Sequence, residues 1–196
     1  MDKVELSYNE RRTHKSPMTP KPWKTLSTRI AYENPWIQVR EDIAELPNGK
    51  TTLYGVIECK GAVGVLPFLD DDHVILVRQY RYVFGEDQRW EMPTGALMPG
   101  EEREAAAHRE LREEIGYDAG ELAFIQTFYS SKSVMHEIAH LYIGRHLRPE
   151  RSVPDETEFL EVAAFPFDQV YQMVLDSEIR DAMTITAVLH AARLRA

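Results

Sequence analysis

Cysteine, long apolar runs and an excess of positive charge are absent or nearly absent from this chain of 196 residues. The only cysteine, Cys59, excludes a disulfide framework, and its place in a strand-like run favours a structural role over a reactive thiol. No apolar run reaches the length of a membrane span, and the polar, proline-containing residues 1–24 form neither a signal peptide nor an anchor. The sequence therefore predicts a cytoplasmic protein with no membrane partner.

The shortage of basic residues bears on the kind of partner. Lys and Arg number 23 against 32 Asp and Glu, so the formal net charge is −9. This charge argues against a nucleic-acid partner that is recognised through its phosphates. A small anionic substrate remains compatible, because a bound metal ion supplies positive charge locally. With 43% hydrophobic residues the chain is able to bury a full core, which excludes an intrinsically disordered protein.

The order of segments along the chain predicts a mixed α/β fold. We expect a mobile tail over residues 1–24, followed by strands over residues 30–32, 36–46, 51–58, 62–69, 74–82, 122–129, 138–143 and 159–165. A turn at residues 47–50 joins the second strand to the third. Apolar spacing predicts a central helix over residues 101–115, ended by Gly116, and two helices between residues 168 and 195 that are broken near Asp176. This order is not the regular alternation of a doubly wound sheet.

The central helix carries an unfavourable arrangement of charge. Glu110, Glu113 and Glu114 are spaced i, i+3, i+4, which places three carboxylates on one side of its last turn. Each acid there costs about 0.3–1 kcal/mol against the helix dipole, and the i,i+4 pair adds roughly 0.2–0.5. Two interpretations fit this spacing: a solvated surface face softened by Arg109 and Arg112, or a face that binds a hard divalent cation. Position alone leaves both open.

The wider pattern resembles the Nudix signature, G-x5-E-x7-R-E-U-x-E-E-x-G-U, in which U is a large apolar residue. Its fixed positions are all filled, by Gly95, Glu101, Arg109, Glu110, Glu113, Glu114 and Gly116. Leu111 fills the first apolar position, and Tyr117 fills the last, where an aliphatic residue is more usual. Matching all fixed positions by chance is expected about once in 10⁸ trials, against about 200 windows in this chain.

The resemblance implies a Nudix fold, with a mixed β-sheet between helices over residues 61–196. It implies a Mg²⁺ site, which Mn²⁺ also fills, in a metal-binding group that comprises Glu110, Glu114, Glu113, Glu101 and the backbone carbonyl of Thr94. Glu101 and Arg109 are further expected to hold the loop before the helix against it. The catalytic group that the resemblance implies is Glu113, Arg109 and Glu137.

The segments before the signature resemble the ADP-ribose pyrophosphatase branch of the family. The run Val77-Arg78-Gln79-Tyr80-Arg81 implies that Arg81 contacts the substrate phosphates. Lys60 stands where this branch commonly has a second phosphate-binding arginine, and it keeps the charge without the bidentate fork. In this branch the N-terminal strands, here residues 25–60, form a small antiparallel extension exchanged within a homodimer. Trp36 and Tyr54 are then expected to stack on adenine in active sites shared between the subunits.

The loop after the signature departs from this branch. Where the branch has Tyr-Pro-Ser-Pro-Gly, this chain has residues 129–133, Tyr-Ser-Ser-Lys-Ser, so the proline diagnostic of ADP-ribose activity is replaced by Lys132. Lys132 either binds a phosphate or acidic sugar or is a solvated loop residue. Glu137 keeps the position of a catalytic base or further metal ligand. His136 and His140 beside it either tune that group or have ordinary structural roles.

The leading hypothesis is a nucleoside diphosphate sugar hydrolase, which releases AMP and a sugar phosphate when ADP-ribose is the substrate. A second hypothesis keeps the chemistry and changes the substrate, to GDP-mannose, a dinucleoside polyphosphate or a nucleotide cofactor. A third is a nucleotide-binding module that has lost catalysis, which should show broken signature carboxylates or an attached DNA-binding domain. The signature carboxylates of this chain are intact.

Overall fold

The computed structural model describes residues 21–150 and 159–195. The predicted tail lies outside the described residues except for its last four, and Lys24 already begins the first strand. In chain order the elements are β1 (Lys24–Glu33), β2 (Ile37–Glu45), β3 (Thr51–Cys59), β4 (Ala62–Pro67), β5 (His73–Arg81), β6 (Glu86–Glu91), β7 (Thr94–Ala96), α1 (Arg103–Glu114), β8 (Tyr117–Tyr129), β9 (Met135–His136), β10 (Ile138–Pro149), β11 (Glu161–Pro166), α2 (Phe167–Leu175) and α3 (Ala182–Arg195). No helix in these ranges is long and apolar enough to cross a membrane.

The N-terminal strands form a sheet of their own, in the order β1-β2-β3-β9. Strands β1, β2 and β3 are antiparallel neighbours, and the short β9 lies parallel to β3. The turn predicted at residues 47–50 is confirmed. Gly49 adopts a φ of +81°, in the left-handed region that glycine enters readily, and the Lys50 amide donates to the Asn48 side chain at 3.0 Å.

The remaining strands form two sheets, in the orders β7-β4-β10-β8 and β11-β5-β6. Strand β4 is parallel to β10 and antiparallel to β7, so the arrangement is mixed. Successive side chains of β4 point to opposite faces. Val65 packs in one buried cluster with Leu111 of α1, while Leu66 packs in another with Val170 of α2 and Val188 of α3. These two sheets therefore lie between α1 on one side and α2 with α3 on the other.

This architecture confirms the predicted mixed α/β fold. The central helix begins at Arg103, two residues later than predicted, because the preceding residues form a turn through Gly100 at a φ of +77°. Gly116, at a φ of +72°, follows the helix as predicted, and the break between α2 and α3 contains Ser177 at a φ of +61°. Three strands were not predicted. β6 has the sequence EDQRWE, which is polar apart from Trp90, β7 has only three residues and β9 only two, so none of them carries an alternating apolar pattern.

Candidate active site

The turn between β7 and α1 directs Glu101 onto the helix. The Glu101 amide donates to the Met98 carbonyl oxygen at 3.0 Å, and the Met98 amide donates to Oε2 of Glu101 at 2.9 Å. The side chain of Glu101 is only 16% exposed. Its carboxylate therefore faces α1 rather than solvent.

Arg109 is the centre of the site. Its Nε and Nη2 donate to the two oxygens of Glu101 at 2.8 and 2.9 Å, and Nη2 also donates to the Ala96 carbonyl at 3.1 Å. Its Nη1 donates to Glu113 at 3.1 Å and to Glu110. The hydrogen bonds to Glu101, and then the charge of Glu110, raise the pKa of Arg109 above its usual value against the opposing effect of burial. One guanidinium thus ties β7, the turn and α1 together.

Two signature carboxylates are buried against the loop backbone. Glu110 is 6% exposed and Glu114 is 5% exposed. A Cβ atom at Gly95 would lie 1.9 Å from Oε1 of Glu110, so only glycine allows the loop to approach this carboxylate. The Thr94 amide donates to Oε2 of Glu114 at 3.3 Å. The interpretation of this helix face as a solvated surface is therefore wrong for Glu110 and Glu114.

The donor set suits a hard cation. Arg109 carries one positive charge and contacts three carboxylates, those of Glu101, Glu110 and Glu113, so this group retains an excess of negative charge. Within residues 21–150 and 159–195, no three Asp, Glu, His or Cys side chains by themselves form a metal-binding group. Magnesium does not need one, because it keeps several waters and uses one or two carboxylates together with substrate phosphates. The buried carboxylates beside the Thr94 backbone fit that demand.

The sheet brings Lys60 and Glu137 to the same edge as this group. The register of the three neighbouring strands β10, β4 and β7 aligns one row of residues, Ala139, Ala62 and Ala96. Lys60 and Glu137 each lie two residues before this row. They are therefore at the end of the strands where β7 stops and where Arg109 donates a hydrogen bond to the Ala96 carbonyl. Burial, and then the charge of Glu137, raises the pKa of the Cys59 thiol. A raised pKa supports the structural role expected for Cys59.

Arg81 lies at a separate cavity of about 490 Å³, lined by Arg81, Phe84, Trp90, Glu91, Arg180 and Asp181. Its Nε donates to Oε1 of Glu91 at 2.9 Å. Burial raises the pKa of Glu91, and Arg81 opposes that rise. The sequence predicted a role for Arg81 and none for Glu91. The signal that marks Glu91 is an acidic residue within the otherwise apolar segment of residues 90–93, just before the signature.

One chain does not bring Trp36 and Tyr54 together. Trp36 lies one residue before Ile37, which pairs with Cys59, and Tyr54 pairs with Asp42. The two aromatic residues are therefore six positions apart along the strands, a separation of about 20 Å. Trp36 is 74% exposed. The Tyr54 ring instead packs edge-on against Trp23, with the ring centroids 6.0 Å apart.

Tyr54 and Lys132 share an open pocket of about 360 Å³, together with Tyr129, Met135 and His136. Lys132 is exposed in this pocket. The two histidines beside Glu137 differ in their contacts. His136 Nδ1 lies 2.6 Å from Oε2 of Glu58, whereas His140 Nδ1 lies 2.9 Å from the Thr127 hydroxyl. Burial, and then the charge of Arg103, lowers the pKa of His140.

Comparison with known proteins identifies the family. The family model described as "NUDIX domain" matches residues 60–185, more than half of the chain. The chain belongs to the Nudix family. A second model, "Nucleoside diphosphate sugar hydrolase N-terminal domain", matches residues 23–57.

Relatives of this Nudix hydrolase cover most of its length. An ADP-ribose pyrophosphatase of Bacillus subtilis is 35% identical over 167 residues, 84% of this chain and 90% of the relative. A methanol dehydrogenase activator of Bacillus methanolicus is 31% identical over the same shares of both chains. A crystal structure of an ADP compounds hydrolase superposes with a TM-score of 0.79 and 26% identity, covering 89% of this chain and 94% of that chain. Nudix pyrophosphatases generally need a divalent metal ion.

Proposed function

We propose that this Nudix hydrolase cleaves the diphosphate of a nucleoside diphosphate sugar, with ADP-ribose as the first candidate, to a nucleoside monophosphate and a sugar phosphate. The observation that carries the proposal is the approach of Gly95 to the buried Glu110 carboxylate, since it assembles a loop, a helix and hard oxygen donors at one place. The N-terminal match to a nucleoside diphosphate sugar hydrolase family, and the relative named ADP-ribose pyrophosphatase, support the substrate class.

The proposed cofactor is Mg²⁺, for which Mn²⁺ also serves. Glu110, Glu114 and the Thr94 carbonyl are its proposed protein ligands, and Glu113, which is more exposed, serves as a further ligand or orients water. A bound divalent cation stabilises negative charge on the phosphate oxygens and lowers the pKa of the attacking water. Arg109 and the buried loop backbone hold the carboxylates in position.

Glu101 was predicted in two roles, and its contacts favour one of them. Both of its oxygens accept hydrogen bonds from Arg109, and Oε2 also accepts one from the Met98 amide. A carboxylate used in this way has little capacity left for a metal ion. We therefore assign Glu101 to holding the loop against α1.

Basic side chains at three places are proposed to bind the substrate. Arg81 lines the 490 Å³ cavity, where its ion pair with Glu91 fixes the guanidinium, and 42% of its side chain stays exposed for a phosphate or ribose. Lys60 lies at the sheet edge beside the Arg109 group. Lys132 lies beside Tyr54, where it is placed to contact the sugar phosphate half of the substrate.

Glu137 is the proposed catalytic base. It lies at the sheet edge that also carries the signature loop, and its position after β9 places it between the N-terminal sheet and the Nudix domain. In the proposed step Glu137 accepts a proton from the water that attacks phosphorus, while the phosphorus–oxygen bond of the diphosphate bridge breaks.

A homodimer with shared active sites is proposed from the N-terminal sheet. One group of its large apolar side chains is strongly exposed in a single chain, namely Trp23, Leu26, Ile30, Trp36 and Leu53. Large exposed apolar side chains gathered on one small sheet support its use as an interaction surface. Pairing through residues 25–60 would also bring an aromatic ring of one subunit to the active site of the other.

The cytoplasm is the proposed location of the protein.

A substrate panel tests this function. ADP-ribose, GDP-mannose, a dinucleoside polyphosphate and a nucleotide cofactor are incubated with the enzyme and Mg²⁺, and the products are separated by ion-exchange chromatography. The expected result is AMP and ribose phosphate from ADP-ribose at the highest kcat/KM. Preference for the dinucleoside polyphosphate or the nucleotide cofactor over both ADP-ribose and GDP-mannose would overturn the proposed substrate class.

A further inference from the structure

The segment before Glu137 is fastened to the N-terminal sheet at three successive points. The Tyr54 hydroxyl donates to the Ser133 carbonyl at 2.7 Å, and the Ile57 amide donates to the Val134 carbonyl at 2.7 Å. The third point is the hydrogen bond between Glu58 and His136, at 2.6 Å. This last contact lies one residue from the proposed base.

Glu58 is itself fixed by its surroundings. Arg40 donates through Nε to Oε1 of Glu58 at 2.8 Å and also contacts the buried Asp42. The Thr28 hydroxyl donates to Oδ1 of Asp42 at 2.8 Å, which ties this group to β1 as well. The group therefore spans the three antiparallel strands and presents the second oxygen of Glu58 to His136.

We propose that Glu58 and His136 are positioning residues that hold the Glu137 segment in its working geometry, so that the N-terminal sheet takes part in catalysis as well as in dimer formation. This inference rests on the proposed role of Glu137. The supporting relationship is geometric. His136 precedes Glu137 directly, and strand β9 would consist of two unsupported residues without its pairing to β3.

Substitutions of Glu58 and His136 in two backgrounds, with one matched control, test the inference in the full-length enzyme. Glu58→Gln and His136→Ala are each made in the wild type and in Glu137→Gln. We expect kcat to fall about tenfold in the wild-type background with KM within about twofold, because a small misplacement of a catalytic group lowers the rate more than binding. Glu41→Gln is the matched control. Glu41 is 28% exposed against 31% for Glu58, and it pairs with Arg29 on β1 rather than with the Glu137 segment.

The second background separates positioning from a merely structural role. If Glu58 and His136 act through Glu137, neither substitution lowers kcat further in the Glu137→Gln enzyme. Equal fractional losses in both backgrounds, or no loss in the wild type, would overturn the inference. His136→Asn supplies the rescue, since its amide nitrogen stands near the position of Nδ1 and should restore most of kcat.

Failure of the proposed function gives a different result. If wild-type enzyme and Glu137→Gln hydrolyse nucleoside diphosphate sugars equally, the role of Glu137 is wrong and the inference falls with it. If Glu137→Gln is impaired while the Glu58 and His136 variants are not, only the positioning role is wrong. Hydrogen exchange at the Ile57 amide, which donates to Val134, should speed up in both positioning variants.

Discussion

Arg109 donates two parallel hydrogen bonds to Glu101, from Nε to Oε1 at 2.8 Å and from Nη2 to Oε2 at 2.9 Å. This bidentate pair joins residues eight positions apart across the turn that begins the signature helix. Charge-assisted bidentate pairs are among the strongest hydrogen-bonded contacts in proteins, and they fix orientation as well as distance. The spacing of Glu and Arg in the signature is explained by this contact.

Replacing Arg109 with Lys should weaken the fold as well as catalysis. Lys keeps the charge but is unable to bond Glu101 in a fork while also reaching Ala96, Glu110 and Glu113. We expect the free energy of unfolding to fall by roughly 2–4 kcal/mol, measured by urea denaturation without metal. Arg112→Lys is the matched control on the same helix. Its pair with Asp118 is longer, at 3.5 Å, and partly exposed, so the expected loss is below about 1 kcal/mol. Equal losses in the two variants would contradict the central role of Arg109.

Adding one methyl group at Gly95 should disable the site. The new Cβ would lie 1.9 Å from Oε1 of Glu110, so the loop or the carboxylate must move. We expect Gly95→Ala to cost about 1–3 kcal/mol of stability and to weaken metal binding, as followed by calorimetric titration with Mn²⁺. Gly55→Ala, where a Cβ meets no atom within 4 Å, should change stability by less than about 0.5 kcal/mol. Unchanged metal affinity in Gly95→Ala would contradict the assigned ligands.

The ion pairs of Glu58 should stabilise the protein only above acidic pH. Hydrogen bonding from Arg40, and then contact with His136, lowers the pKa of Glu58 below its usual 4.5 against the opposing effect of partial burial. Between the lowered pKa of Glu58 in the folded state and its ordinary pKa in the unfolded state, the unfolded state binds more protons, so stability rises with pH. The stabilising contribution of Glu58 is fully present above about pH 4.5. We expect Glu58→Gln to lower Tm by at most about 2–4 °C at pH 7, since the pair is partly exposed. In thermal melts this difference should vanish as the pH falls well below 4.5, and a difference that grows on acidification would contradict the account.

Mixing two defective enzymes should restore activity if the sites are shared. Trp36→Ala removes an exposed ring from the N-terminal sheet, and Glu114→Gln removes a proposed metal ligand from α1. In a randomly mixed dimer, about a quarter of the sites combine an intact Trp36 with an intact Glu114 from different subunits. We expect activity to recover toward that fraction after the two variants are mixed and allowed to exchange. If mass spectrometry shows that the subunits exchange but no activity returns, Trp36 and Glu114 of the same subunit contribute to one site.

The sequence predicted the parts of the site that depend on local spacing. Gly95, Glu101, Arg109 and the helical acids lie within 20 residues, so helical geometry and a single turn determine their neighbours. The strands without an apolar alternation were not predictable in this way. Strand β6 contains only one apolar residue, Trp90, and β1 is exposed at every position. The sequence therefore predicts only residues 30–32 of β1 as a strand.

Contacts between distant segments account for the features that the sequence did not predict. Glu58 and His136 are 78 residues apart, and only the parallel pairing of β3 with β9 makes them neighbours. The partnership of Arg81 with Glu91 depends on the hairpin of β5 and β6, of which only β5 was predicted. Burial of Glu110 and Glu114 likewise follows from tertiary packing, which spacing on one helix does not determine.

The most direct test of the central claim is the rate of ADP-ribose hydrolysis with Mg²⁺ by the wild type, Glu114→Gln and Glu104→Gln. Glu104 lies exposed in the first turn of the same helix, so its variant controls for loss of a helical carboxylate. The account predicts Mg²⁺-dependent release of AMP by the wild type and Glu104→Gln, and a kcat at least about 100-fold lower for Glu114→Gln. Equal rates for Glu114→Gln and the wild type would contradict the metal site at the end of α1.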